Sequence, residues 1–225
     1  MDKSLISIAI DGPAGAGKST VAKKIAKKLN LEYIDTGAMY RALTLKVLEN
    51  GLDPKNENEV LSLLENTEIS FLNNHIYLDG KIVDEEIRNN SVNKNVSYVS
   101  SYSEVRKKMV ELQQEMAKKS NVIMDGRDIG TVVLPNASFK FFITAKPEER
   151  GKRRYLELKD KGETDILLTD IIDDINKRDK IDSTRIESPL RIPDDAIVID
   201  STNLTVDEVV DLIIELIKGV NKIVL

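Results

Sequence analysis

The sequence contains no cysteine. That excludes a disulfide framework and any cysteine-based metal site, and it leaves the redox compartment open. No apolar stretch is long enough to span a bilayer. The run from Leu5 to Ile10 is too short for a signal segment with its cleavage site. A cytoplasmic location with no membrane partner is therefore expected. The net charge of -5 lacks the basic excess that broad nucleic-acid affinity requires, so no nucleic-acid partner is expected. There is no repeat of fixed period and no low-complexity tract. What is present is 41% hydrophobic and 32% charged residues in a chain of 225, which suits one buried α/β core with a small insert and argues against disorder.

The periodicity alternates between strand and helix. Leu5 to Ile10 reads as a buried strand before a glycine loop. From Lys18 the pattern is helical, with Val21, Ile25 and Leu29 four apart and lysines on the other face. Leu31 to Ile34 reads as a strand and Gly37 to Glu49 as a helix. In the middle, Glu68 to Leu72 and Ile76 to Leu78 alternate about Asn73-Asn74, and Asp79-Gly80 precedes Lys81-Ile82-Val83, a hairpin signal. Residues 65–95 thus form a small β-rich insert. Ser103 to Lys119 is a helix with Val105, Met109, Leu112 and Met116 as its apolar stripe. Asn121 to Met124 and Phe139 to Thr144 are strands, Pro147 to Lys161 and Thr164 to Lys180 charged helices, Ala196 to Ile199 a last strand. The closing helix, Val206 to Lys218, carries Leu212, Ile213, Leu216 and Ile217 as core or interface, core being preferred. Such alternation implies a parallel sheet covered on both faces.

Gly12-Pro13-Ala14-Gly15-Ala16-Gly17-Lys18-Ser19, followed by Thr20, fits G-x4-G-K-[ST] between a strand and a helix. Glycines let the backbone wrap phosphates with its N–H groups, and the following helix adds the positive end of its dipole. Lys18 reaches the β- and γ-phosphates of ATP and the Ser19 hydroxyl ligates Mg²⁺ in such a loop.

Two classes carry such a loop, a nucleotide switch and a phosphotransferase. Asn176-Lys177-Arg178-Asp179 spells the guanine-reading N-K-x-D, but it follows an amphipathic helix instead of an apolar strand. Of ten arginines, seven fall between 127 and 191: Arg127, Arg150, Arg153, Arg154, Arg178, Arg185 and Arg191. In an acidic chain this concentration suits a phosphate clamp, with ordinary helix-surface charge as the alternative for the 150–154 group. Arg127 follows an apolar strand at the end of the sheet where α/β ligands bind. The one histidine, His75, lies in the insert and reads as a solvated loop residue. An alcohol acceptor needs a base, whereas a phosphate acceptor is already anionic, so many arginines without an evident base suit a nucleoside monophosphate. Asp11 and Asp35 stay open as bases.

The chain resembles bacterial cytidylate kinase nearly end to end. The resemblance rests on Ile10-Asp11-Gly12-Pro13, on Asp35-Thr36-Gly37-Ala38-Met39-Tyr40-Arg41, on Asp125-Gly126-Arg127-Asp128-Ile129-Gly130-Thr131, and on Arg178-Asp179 with Asp182 and Arg185. It implies a single three-layer α/β P-loop kinase domain over 1–225, with a parallel sheet, an NMP-binding insert at about 65–95 and a helical lid at about 147–185. It implies transfer of the γ-phosphoryl group of ATP, with Mg²⁺, to CMP or dCMP; separately, a monomer is expected. Lys18, Arg127 and Arg185 become the catalytic cations, and Gly12 to Thr20 with Arg154 the ATP site. Arg41, Arg127 and Arg185 become the clamp on the CMP phosphate, Arg178 and Asp182 the ribose contacts. Ser97, Arg106 and Asp128 become the cytosine readers. Thr36 contacts CMP or caps the helix after it, and Asp125 holds Mg²⁺ through water or braces the loop. Gly151 and Gly162 become flexible points of the lid. Asp84 stands where the family has a hydroxyl residue, at an expected cap.

Overall fold

Short runs of β-branched and aromatic residues alternate with longer amphipathic segments, and each takes the form its length allows. In the computed structural model, which describes residues 5–72 and 75–221, the order is β1 (Ser7–Asp11), α1 (Lys18–Leu29), β2 (Glu32–Asp35), α2 (Thr36–Glu49), α3 (Glu57–Leu64), β3 (Ile69–Leu72), β4 (His75–Leu78), β5 (Lys81–Ile82), a 3-10 turn (Glu86–Arg88), α4 (Asn90–Val99), α5 (Ser103–Ala117), β6 (Val122–Gly126), a π-helical turn (Ile129–Val133), β7 (Phe139–Thr144), α6 (Pro147–Asp160), α7 (Leu168–Thr184), β8 (Ile197–Asp200) and α8 (Val206–Asn221). The expected Asn73-Asn74 turn and the segment Met1 to Ser4 lie outside the described residues.

The main sheet is parallel with strand order β2-β6-β1-β7-β8. One face, with Ile8, Ile10, Ile123 and Phe141, is covered by α1 and α8. The other, with Ala9, Ile34, Val122 and Met124, is covered by α5 and the π-helical turn through Val110, Met116, Ile129 and Val133. That is the expected three-layer α/β arrangement. On α8 the buried stripe is Val209, Val210, Ile213, Ile214 and Ile217, while Leu212 is 38% exposed. The helix is thus core, rotated relative to the expected stripe.

The insert differs from the expectation in extent. Its antiparallel sheet β3-β4-β5 falls within 65–95, but α3 and α4 flank it. Together with α2 and α5 they build a second core around Leu43, Val60, Ile76, Ile87, Val96 and Met109. His75 is not in a loop. It begins β4, exposed, and its Nδ1 pairs with Asp84. Asp84 also accepts from the Ile76 N–H at 3.0 Å, so it ties the hairpin together and caps no helix.

The two charged helices also depart from expectation at Gly151. The residue is buried within α6, and a Cβ there would lie 2.4 Å from Ile172 Cγ1 of α7. The glycine lets the two helices approach closely and gives no hinge. Leu158, Ile171 and Ile175 continue the same seam. Gly162, at φ +88°, makes the turn between the helices. We expect Gly151→Val to lower stability by about 1–3 kcal/mol through overpacking, read as a fall of several degrees in a thermal melt.

Candidate active site

The glycine loop leaves the carboxyl end of β1 with no spare room. A Cβ on Gly12, at φ +147°, would lie 2.0 Å from the Ile143 carbonyl oxygen of β7. Ala14, Gly15, Ala16, Gly17, Lys18, Ser19 and Thr20 line a large cleft together with Arg154 and the segment 202–206. Gly12 and Pro13 stand behind it, and the Pro13 carbonyl accepts a hydrogen bond from Lys18 Nζ at 2.7 Å. The loop is held from outside by a pair absent from the sequence reading. Asp179 accepts from the Ala14 N–H at 3.0 Å and from Arg150 Nη1 at 2.6 Å. Arg150 also donates to the carbonyls of Ala14 at 2.7 Å and Ala145 at 2.9 Å. Arg150 is therefore a buried brace and not a mobile lid cation. Asp179, the last letter of N-K-x-D, lies within α7 and faces the loop. Arg153 donates to the Ser201 carbonyl at 2.6 Å. Arg154 borders the cleft and pairs with Glu157 at 2.7 Å.

Three adjacent parallel strands carry an aspartate at or next to their carboxyl ends, and each carboxylate is engaged. Asp11 accepts from the N–H groups of Ile129 at 2.8 Å and Gly130 at 2.7 Å, and burial pushes its carboxyl up to about 6. Asp35 accepts from the Ala38 N–H at 2.9 Å and pairs with Arg41 at 2.8 Å. It is Asp35, and not Thr36, that caps α2. The Thr36 hydroxyl donates to the Asp125 carbonyl at 2.7 Å. Asp125 accepts from Ser19 Oγ and from the Tyr33 hydroxyl, each at 2.7 Å. Burial, and then Asp35 beside it, raise its carboxyl above the usual range. Neither Asp11 nor Asp35 is left free as a base.

Thr36, Arg41, Ser97, Arg106, Arg127, Asp128, Arg178, Asp182 and Arg185, separated by up to 149 positions, all line one second pocket. Five arginines face two aspartates there, so the pocket favours an anion. At one end Arg106, in α5, donates to Asp128 at 2.5 Å and to the Ser100 carbonyl at 3.0 Å. At the other, Arg127 Nε donates to Asp182 at 2.9 Å. Burial alone would raise Asp182, but Arg127, Arg185 and Arg178 outweigh it and hold the carboxyl below its usual range. Burial and then Arg127 bring Arg178 down to about 10. Arg185 donates to the Ser188 carbonyl at 2.8 and 2.6 Å and stands 3.6 Å from Asp128 and 3.7 Å from Asp182. The sequence reading passed over Tyr40 and Ser100, which share the pocket, and Arg88, which borders the cleft.

The pocket and the cleft meet on shared walls: Arg41, Arg127 and Arg178 line both, with Gly37 and Gly126. Beside them, Lys18 is almost fully buried. Burial, and then the Arg127 charge, bring its ammonium down to about 7, against partial support from Asp125 and Asp11. A lysine whose folded pKa lies below its unfolded one binds fewer protons when folded, so between about pH 7 and 10.5 this residue makes stability rise with pH. An anionic phosphate reverses the shift. We therefore expect ATP binding at pH 8 to take up a fraction of a proton, seen as a buffer-dependent heat in titration calorimetry, and Lys18→Met to abolish that uptake.

The family model for cytidylate kinase matches residues 8–219. A cytidylate kinase of Alkaliphilus oremlandii (strain OhILAs) is 57% identical over 96% of this chain and 99% of its own. One from Clostridioides difficile (strain 630) is 54% identical over 92% and 95%. Among solved structures, a gluconokinase from Sinorhizobium meliloti 1021 is similar with a TM-score of 0.50 at 13% identity, covering 92% of this chain and 87% of that one, a likeness of fold alone.

Proposed function

The chain belongs to the cytidylate kinase family, and from that premise we propose how its own residues carry the γ-phosphoryl group of ATP to CMP or dCMP, giving ADP and CDP or dCDP. The observation that carries the reading is the meeting of cleft and pocket on Arg41, Arg127 and Arg178. A donor phosphate chain on Ala14 to Thr20 and an acceptor phosphate on these arginines face each other across that wall. An acceptor phosphate oxygen forms a bond to the γ-phosphorus as the bond from that phosphorus to the β,γ-bridging oxygen breaks. The electron pair leaves on ADP, and no base is required. Lys18 and Arg127 neutralise the charge that moves between the two phosphates. Arg185, between Asp128 and Asp182, joins the clamp, and Arg178 with Asp182 holds the ribose.

The pairing of Arg106 with Asp128 leaves hydrogen-bonding capacity unused on both residues. Arg106 Nε is buried with no hydrogen-bond partner among the described residues, and Asp128 Oδ1 has only the 3.6 Å contact with Arg185. Cytosine offers acceptors at O2 and N3 and a donor at N4, which suits this pair. Uracil carries N3–H and O4 instead and leaves buried groups unpaired. Ser97, buried beside them on α4, adds a third polar contact to the base.

The loop also suits Mg²⁺. Ser19 and Asp125 are already joined, Asp125 is short of cationic partners, and the described residues contain no group of three or more acidic or histidine side chains that could hold a metal alone. That matches an ion kept chiefly by phosphates and water. Ser19 would ligate it directly and Asp125 through water. When bound, the ion supplies charge neutralisation on the donor phosphates. Action in the cytoplasm as a monomer, with α6 and α7 as the lid of a mobile region, completes the reading. No helix among the described residues is long and apolar enough to cross a membrane.

An ADP-release assay over a panel of monophosphates tests this. We expect CMP and dCMP to lead, and Asp128→Ala to lower kcat/KM for CMP by about 100-fold or more. Fast turnover of AMP with none of CMP would overturn the reading. If lid closure excludes water, ATP hydrolysis without CMP runs at a small fraction of the transfer rate, whereas equal rates with and without CMP would remove the lid from the mechanism.

A further inference from the structure

Two neighbouring residues of α2 serve opposite ends of the acceptor pocket. Arg41 belongs to the wall shared with the donor cleft, while Tyr40 lies at the end occupied by Arg106. Tyr40 is almost fully buried, and the Arg106 guanidinium carbon stands 5.3 Å from the centroid of its ring. The phenolic oxygen makes no hydrogen bond among the described residues, although the buried Gln113 amide lies beside it.

The need for such a ring follows from how Arg106 is held. Its two in-plane bonds, to Ser100 and Asp128, fix two edges of the guanidinium, but neither constrains its faces. A buried guanidinium that has lost water is stabilised by an electron-rich aromatic face, and that contact limits its rotation about the in-plane bonds. We propose that Tyr40 is a positioning residue for base selection: its ring holds Arg106 in its orientation beside Asp128, and so sets the preference for cytosine over uracil. This rests on the reading that Arg106 and Asp128 recognise the base. A purely space-filling role would be met equally well by a ring of the same shape whose π-density fluorine has drawn off, whereas a cation–π role would not.

The two roles separate in steady-state kinetics with CMP and UMP. We expect Tyr40→Leu to lower the CMP-to-UMP ratio of kcat/KM by about tenfold, the scale of a desolvated cation–π contact. The loss should fall on KM for CMP, with KM for ATP within about twofold. Tyr40→Phe should keep the ratio within about threefold. In an Arg106→Ala background, Tyr40→Leu should change the ratio no further, because Tyr40 acts through Arg106. A Tyr40→Leu enzyme that keeps its ratio while Arg106→Ala loses it overturns the proposal and leaves the base-reading intact. An unchanged ratio in Arg106→Ala overturns the base-reading itself. Should Tyr40→Leu fail to fold, fluorinated phenylalanines at position 40 keep the shape and weaken the ring's quadrupole stepwise. A stepwise loss of the ratio supports the proposal, and a flat response overturns it.

Discussion

Three parallel strands, β1, β2 and β6, bring Asp11, Asp35 and Asp125 to one end of the sheet, in a register that sets Asp35 opposite Asp125 and Asp11 opposite Gly126. Like charges so close repel unless each finds donors, and the way each finds them shapes the site. Asp11 gathers the N–H groups of Ile129 and Gly130, which fixes the turn that presents Asp128. Asp35 starts α2 and holds Arg41. Asp125 takes the hydroxyls of Ser19 and Tyr33. The phosphate loop, Arg41 and the turn at Asp128 are thus each tied to one carboxylate at the end of the sheet.

The acceptor pocket follows a similar economy. Its arginines are held in place before any ligand arrives, Arg106 by Asp128 and Arg127 by Asp182. Each pair takes up only part of the hydrogen-bonding capacity of its members. The Nε atoms of Arg41, Arg106 and Arg178 have no partner among the described residues. Pairing of this kind lowers the cost of burying charge while keeping donors in reserve, which is preorganisation in the sense that matters for both binding and transfer.

Much of this was legible in the chain. The phosphate loop has fixed covalent spacing, and the stripe Val21, Ile25 on α1 is periodic enough to read directly. The residues of the acceptor pocket were found through motif resemblance, and they converge as one lining. Local pattern failed where burial contradicts polarity. The α4 sequence NSVNKNVSYV buries Val92, Val96 and Val99 on one face, but its asparagines and serines mask the helix. Arg106 and Gln113 lie buried on α5, where a charged or amide side chain signals solvent. Gly151 reads as a flexible point until Ile172 is seen against it. The Arg150–Asp179 pair joins positions on two different helices, and no local periodicity connects them.

That last pair has a mechanical meaning. Arg150 stands near the start of α6 and Asp179 in the second half of α7, and the two helices are locked along the seam at Gly151 and Ile172. Both residues also grip Ala14, one through its carbonyl and the other through its N–H. The helical pair is therefore fastened to the phosphate loop at both ends of one residue's backbone, so the conformation of the loop at Ala14 and the seat of the two helices on it are set by the same three groups.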